Sequence, residues 1–156
     1  MTIDKMLKGH DLFRALNVDE TNQVSDFSST KKFTANETIF KLGGLGYHVY
    51  MLLEGAVYLR LPSKPGEFSL VISKIEKGEI FGLSPLLGSP RYTASAECSE
   101  AAEVLCIEAK PFRELLQNNC PVGFHIMSQV AQIYFTRYID VLKNLQDVVS
   151  QIPLIR

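Results

Sequence analysis

ETIFKLGGLGYHVYMLLEGAVYLRL, residues 37–61, decides the fold. It holds three runs of β-forming residues separated by punctuation. Glu37–Leu42 ends at Gly43, Gly44, Leu45 and Gly46, three glycines in four residues, which read as a turn. Tyr47–Leu53 is aromatic and apolar along its whole length. Glu54 and Gly55 then give a two-residue hairpin signal before Ala56–Leu61. In that last run Val57, Leu59 and Leu61 share one face of a strand and Tyr58 and Arg60 take the other, because successive strand side chains alternate. Working outward, Pro62–Gly66 is a polar loop and Phe68–Ile75 another strand, closed by Lys77 and Gly78. Arg91–Glu97 and Ala101–Glu108 follow, joined by Cys98–Glu100. Short strands at such close spacing specify an antiparallel β-barrel or jelly roll over residues 31–109.

On either side the period becomes helical. Residues 1–30 read as short helices: Asp11–Leu16 buries Leu12, Phe13 and Leu16, and Asp19 caps a second helix through Asp26 with Val24 and Phe27 facing inward. Residues 110–150 carry the C-terminal helices. Pro111 suits a first helical position, with Phe112, Leu115 and Leu116 on one face. After a break at Asn118–Pro121, a long helix runs from about Pro121 to Val149. The fold class is therefore α+β, one domain: an antiparallel barrel or jelly roll with flanking N-terminal helices and a long C-terminal helix. That helix carries two neighbouring apolar stripes. One contains Val122, Ile126, Val130, Ile133, Arg137 and Val141; the other contains Met127, Ala131, Tyr134, Tyr138, Leu142, Leu145 and Val149. One stripe can pack on the barrel and the other needs a partner helix, so a homodimer through this helix is expected. Arg137 interrupts the first stripe; a guanidinium there needs an anion or a carbonyl, reaches solvent, or pairs with Asp140.

The 156 residues fit one domain of ordinary size. Lys+Arg of 16 against Asp+Glu of 17 gives a net charge of −1, which argues against a basic nucleic-acid surface as the main function. No apolar run approaches the roughly 20 residues of a membrane span, and MTIDKMLKGHDLF lacks a signal core, so no membrane partner is expected and the location is read as cytoplasmic. Cys98, Cys106 and Cys120, an odd set without CxxC spacing, read as buried reduced thiols. His10, His48 and His125 form no HxH pair, and the glycines at 43–46 lack the Lys-Ser/Thr of a P-loop. No metal, haem or iron–sulfur site and no enzymatic activity is expected.

GEIFGLSPLLGSPRYTAS, residues 78–95, resembles the phosphate-binding cassette of cyclic-nucleotide-binding domains, the family of the bacterial catabolite activator protein, protein kinase A regulatory subunits and cyclic-nucleotide-gated channels. Thr38–Phe40, Gly46, Val49, Tyr50, Leu53, Gly55 and Val57 sit where that family places its early strands and glycines, and Glu108–Phe112 resembles its strand-to-helix exit. The resemblance implies a ligand site built from Phe81, Gly82, Leu83, Ser84, Pro90, Arg91, Tyr92 and Thr93, with Arg137 from the long helix. In the family a short helix offers backbone N–H groups to the cyclic phosphate; Ser84–Leu87 matches it, and Arg91 matches the phosphate-pairing arginine. Gly82 would allow close approach to the ligand.

Two positions depart from the family. Its Phe-Gly-Glu motif, whose Glu accepts the ribose 2′-hydroxyl, is here Phe81-Gly82-Leu83, and losing that bond costs about 1–3 kcal/mol. Tyr92 replaces a small residue, and its phenol either fills part of the pocket or bonds the ligand. The implied function is a regulatory ligand-sensing domain that takes a small phosphate-bearing molecule (cyclic AMP, cyclic GMP or another phosphorylated compound) with no cofactor. It would signal through the long helix to a dimer mate or protein effector. The alternative is a degenerate pocket serving as a protein-interaction or dimerisation module. The family's transcription factors continue into a helix-turn-helix after the long helix. These residues include no such DNA-binding domain, so direct DNA regulation is not expected of them.

Overall fold

A strand apolar on both faces must be covered on both faces, and His48–Glu54 (β3) is the clearest example. In the computed structural model, which describes residues 2–64 and 69–153, Tyr50 and Leu52 point into one hydrophobic cluster and Val49 and Met51 into another. Ala102–Glu108 (β8), paired antiparallel with β3, splits in the same way: Val104 and Cys106 on one side, Leu105 and Ile107 on the other.

The remaining strands are Ser28–Phe33 (β1), Thr38–Phe40 (β2), Val57–Leu61 (β4), Leu70–Ile75 (β5), Ile80–Phe81 (β6) and Ser95–Cys98 (β7). They form two four-stranded antiparallel sheets, ordered β1-β8-β3-β6 and β2-β7-β4-β5. The cluster between the sheets holds Phe40, Tyr50, Leu52, Val57, Phe81, Tyr92 and Val104. The cluster on the outer face of the first sheet is covered by helices and holds Leu12, Phe13, Val24, Phe112, Leu116, Ile126 and Val130. The helices are Ile3–Lys8 (α1), Val18–Asp26 (α2), Ala109–Asn118 (α3) and Cys120–Ser150 (α4), with 3₁₀ turns at Asp11–Phe13 and Ser84–Leu87. The fold is the expected α+β jelly roll with flanking helices.

Several local readings are corrected. Glu54 and Gly55 do not close a hairpin: β3 pairs with β8 and β6, while β4 pairs with β5 and β7. The chain crosses between sheets there. A second crossing, from β7 to β8, lies against the first, and Ser99 N donates to Ala56 O at 3.1 Å. Gly55 has φ +90°, and a Cβ on it would sit 2.3 Å from Ala101 O, so the two crossings touch through glycine.

Ser28–Phe33, half of it inside the stretch read as helical, is a strand paired along its length with β8. It escapes notice because only Phe33 is buried. The proposed strand Arg91–Glu97 starts only at Ser95, and Arg91 makes one isolated bridge with Leu45. Helix α2 is capped by Asn17 rather than Asp19. Asn17 Oδ1 accepts from Glu20 N at 2.9 Å while Asn17 N donates to Glu20 Oε2 at 2.8 Å, a reciprocal capping box. Pro111 stands third in α3, not first. Cys98 and Cys106 are buried, with their thiols pushed up by burial, but Cys120 is exposed. Phe68 and residues 65–66 of the polar loop lie outside the described residues.

Candidate functional site

Helix α4 leaves the barrel before it ends. Its first half is anchored by Val122, Ile126 and Val130, all buried, while Leu142, Leu145 and Val149 are 41%, 55% and 49% exposed. Between these halves the helix passes over the mouth of the jelly roll. There Tyr134, Arg137, Tyr138 and Val141 roof a cavity of about 250 Å³. Its floor and walls come from the cassette (Gly82, Leu83, Ser84, Tyr92, Thr93, Ala94) and from Phe40, Leu59 and Ile72.

The floor is aromatic. Phe40 stacks on Tyr92 with centroids 3.9 Å apart and 19° between planes, on Tyr50 at 5.5 Å and 27°, and on Phe81 at 6.1 Å and 28°. Gly82 is required by this stack. At φ +66° a Cβ would lie 2.9 Å from the Tyr50 ring and 3.0 Å from Phe40. The glycine thus admits aromatic rings, where close approach to a ligand was the expected reason. The Tyr92 phenol donates to His48 O at 2.7 Å and accepts from His48 N at 3.3 Å. Of its two expected roles it fills the pocket, because its hydroxyl is engaged by β3. Burial pushes the Tyr50 and Tyr92 phenols above their usual range.

The predicted residues separate into two groups. Gly82, Leu83, Ser84, Tyr92, Thr93 and Arg137 meet around one cavity. Phe81, Pro90 and Arg91 are not on its wall. Phe81 lies in the stack beneath, and Pro90 O accepts from Gly46 N at 2.9 Å. Exposed Arg91 donates from Nη1 to Gly43 O at 2.6 Å, tying its own loop to the Gly43–Gly46 turn. Leu83 is fully buried, so an aliphatic group occupies the position matching the family carboxylate.

Arg137 is half-buried on the roof and donates from Nη2 to Ile80 O at 2.7 Å. A carbonyl partner is thus the outcome, rather than Asp140 or bulk solvent. No carboxylate forms an ion pair with it among the described residues. Burial lowers its pKa, with Glu79 opposing. Ser84 Oγ and Thr93 Oγ1, 3.5 Å apart, add hydroxyls to the wall.

Sequence reasoning missed Phe40, Leu59, Ile72, Ala94, Tyr134 and Val141 as cavity residues. Their signal is ordinary strand or helix patterning, and only the meeting of two sheets with α4 brings them together. Among the described residues no three His, Cys, Asp or Glu side chains converge to hold a metal, and no helix is long and apolar enough to cross a membrane.

The chain and its fold have known relatives. A family model for the cyclic nucleotide-binding domain matches residues 30–119. A Geobacter metallireducens protein assigned to cyclic-nucleotide binding superposes with a TM-score of 0.77 at 28% identity, covering 88% of this chain and 99% of that one. The regulatory domain of Toxoplasma gondii PKA, solved with cAMP, gives 0.69 at 25% identity over 83% of this chain and 49% of that one. A cAMP-dependent protein kinase regulatory subunit from Mycosarcoma maydis is 25% identical over 118 residues, 72% of this chain and 22% of that protein. The chain spans from 10% to 48% of the curated relatives it matches.

Proposed function

The chain belongs to the cyclic nucleotide-binding domain family, and from that premise we propose that it is a regulatory ligand sensor. A small anionic molecule enters the barrel cavity, and its occupancy is passed on through α4. The observation carrying this reading is the shared cavity: cassette residues Gly82–Ser84 and Tyr92–Thr93 form one wall and the α4 residues Tyr134, Arg137 and Tyr138 form the roof. A ligand touching both walls biases the seating of the helix, since only differential contacts shift a conformational equilibrium.

The downstream reader is proposed to be a second copy of the chain, bound along the exposed half of α4, and through it a protein effector. No catalytic role is proposed. The three unpaired thiols suit the reducing cytoplasm.

A thermal-shift panel of cyclic AMP, cyclic GMP, cyclic dinucleotides and small organic acids tests the sensor. At a hundred times Kd, a bound ligand adds about 2.7 kcal/mol of stability. Ala94→Trp, which fills the cavity, should abolish the shift. A wild-type protein silent to the whole panel would favour the second reading, a dimerisation module with an inactive pocket, which the buried Leu83 and the outward Arg91 support.

A further inference from the structure

The cavity holds one charge. Of the described residues around it, Arg137 alone is ionised at neutral pH, and no acidic side chain lines it. Arg137 has five N–H donors, of which one is spent on Ile80 O. Glu79 acts on Arg137 from an adjoining groove without forming an ion pair, its Oε2 accepting instead from Glu76 N at 2.8 Å, and the donors left over suit an anion. Arg91, the residue matching the family's anion ligand, lies outside the wall and is exposed and tied to Gly43 O.

Much of the remaining lining suits a sugar poorly. Leu59, Ile72 and Leu83 present aliphatic carbons, where a ribose hydroxyl would exchange water for no partner. The wall's hydroxyls are those of Ser84 and Thr93, 3.5 Å apart, with Tyr134 and Tyr138 on the roof. Phe40 and Tyr92, stacked face to face 3.9 Å apart, line the cavity with aromatic carbon, against which an aromatic ring packs edge-to-face or on an outer face. Tyr92 offers only that ring, because its hydroxyl is held by His48. The volume, about 250 Å³, falls just below the roughly 300–1,000 Å³ of sites for drug-sized ligands. One cation, an aromatic floor, aliphatic sides and little space describe a particular ligand class.

We propose that the cavity binds a small aromatic monoacid, its ring against the Phe40–Tyr92 pair and its acid group on Arg137, in preference to a cyclic nucleotide. This rests on the ligand-sensor reading and specifies the ligand. Arg137 is then the specificity-determining residue, and the anion site has moved from the loop to the helix. An acid bound to Arg137 uses donors that Ile80 O leaves free, so one guanidinium joins the ligand to the tie between α4 and β6.

Titration calorimetry on the whole chain decides it. The probes are benzoate, indole-3-carboxylate and 2-naphthoate, with neutral 2-naphthamide and cyclic AMP as comparisons. The aromatic acids should bind, and 2-naphthoate should exceed 2-naphthamide by about 10- to 100-fold, the weight of a charge-assisted hydrogen bond. Arg137→Gln should weaken 2-naphthoate by a similar factor, Arg137→Lys should restore part of it, and Arg91→Gln should change it by less than about threefold, since a rim charge contributes little. Arg137→Lys keeps the charge, so it reports on the site even where Arg137→Gln fails to fold. Equal binding of the acid and the amide, or loss of binding in Arg91→Gln rather than Arg137→Gln, would overturn the proposal. Binding of cyclic AMP with silence from every aromatic acid overturns the ligand class and leaves the sensor standing. Silence from both sets overturns both.

Discussion

Substituting Leu142 and Leu145 with aspartate should abolish the homodimer proposed through α4. Both lie on the half of α4 that leaves the barrel, and they are 41% and 55% exposed in the single chain. They continue an apolar stripe that includes Phe135 at 64% exposed, Tyr138 at 58% and Val149 at 49%. Full burial of a leucine side chain is worth about 2 kcal/mol, so covering the exposed half of each gives about 1 kcal/mol. In a two-fold interface every residue counts twice. Two leucines on two helices therefore contribute about 4 kcal/mol, or roughly three decades in the dimer constant. The aspartates add repulsion and desolvation on top. Sedimentation equilibrium across nanomolar to micromolar concentration is the assay. The wild type should run as a dimer, and Leu142→Asp/Leu145→Asp as a monomer with unchanged helical circular dichroism, because neither residue belongs to the folded core. A wild type that is monomeric throughout, or a double variant with an unshifted constant, would refute the partner-helix argument.

Gly82→Ala should lose about 2–5 kcal/mol by urea titration, combining roughly 1–2 for a left-handed backbone with roughly 1–3 for overpacking against Tyr50 and Phe40; a loss below 1 kcal/mol would contradict the close approach. Tyr50 and Tyr92 have folded pKa values raised by burial, so the folded state keeps protons that the unfolded state releases. Their stabilisation is complete below the unfolded value near pH 10 and drains away above it, by about 1.4 kcal/mol per pH unit for each tyrosine. Urea melts between pH 8 and 11 should show this fall, and Tyr50→Phe should make it shallower; equal slopes would remove Tyr50 as a cause. Iodoacetamide at pH 7.5 should label exposed Cys120 in the native protein and reach buried Cys98 and Cys106 only on unfolding, as read by peptide mass spectrometry; early labelling of Cys106 would contradict its burial.

The strands and the long helix were legible because burial on one or both faces writes a period into the chain: Val49–Leu52 is apolar without break and α4 repeats every three or four residues. Strand β1 was not, because its sequence SSTKKF is mostly exposed and its place depends on pairing with β8, about 75 residues away. Glu54-Gly55 misled for a related reason. A glycine turn between two strands looks alike whether the chain folds back or crosses to another sheet, and only the contact with Ala101 decides. In the site, the cassette residues were found through resemblance, and the side-chain directions were not. Arg91 sits in the matching position yet bonds Gly43 O, an outcome set by the fold of the Gly43–Gly46 turn. Arg137 was legible as a charge interrupting an apolar stripe, and that interruption proved the better guide to the cavity.

The two crossings joined at Gly55 have a kinetic consequence. Because β3 and β4 part company there, β4 and β5 are, among the described residues, the only sequence-adjacent strands that pair. Every strand of the first sheet must instead find a partner far along the chain: His48 meets Glu108, and Ser28 meets Ile107. Such long closures precede any reward from packing, which places folding in the slow, millisecond-to-second regime of sandwiches with high contact order. The β4–β5 hairpin can form early and locally, whereas the sheet that carries the helices waits for β8. A newly made chain therefore leaves β3 without its β8 neighbour until residues 102–108 have emerged, and Val49 and Met51 uncovered until α3 and α4 follow, and that interval is when it is most exposed to aggregation.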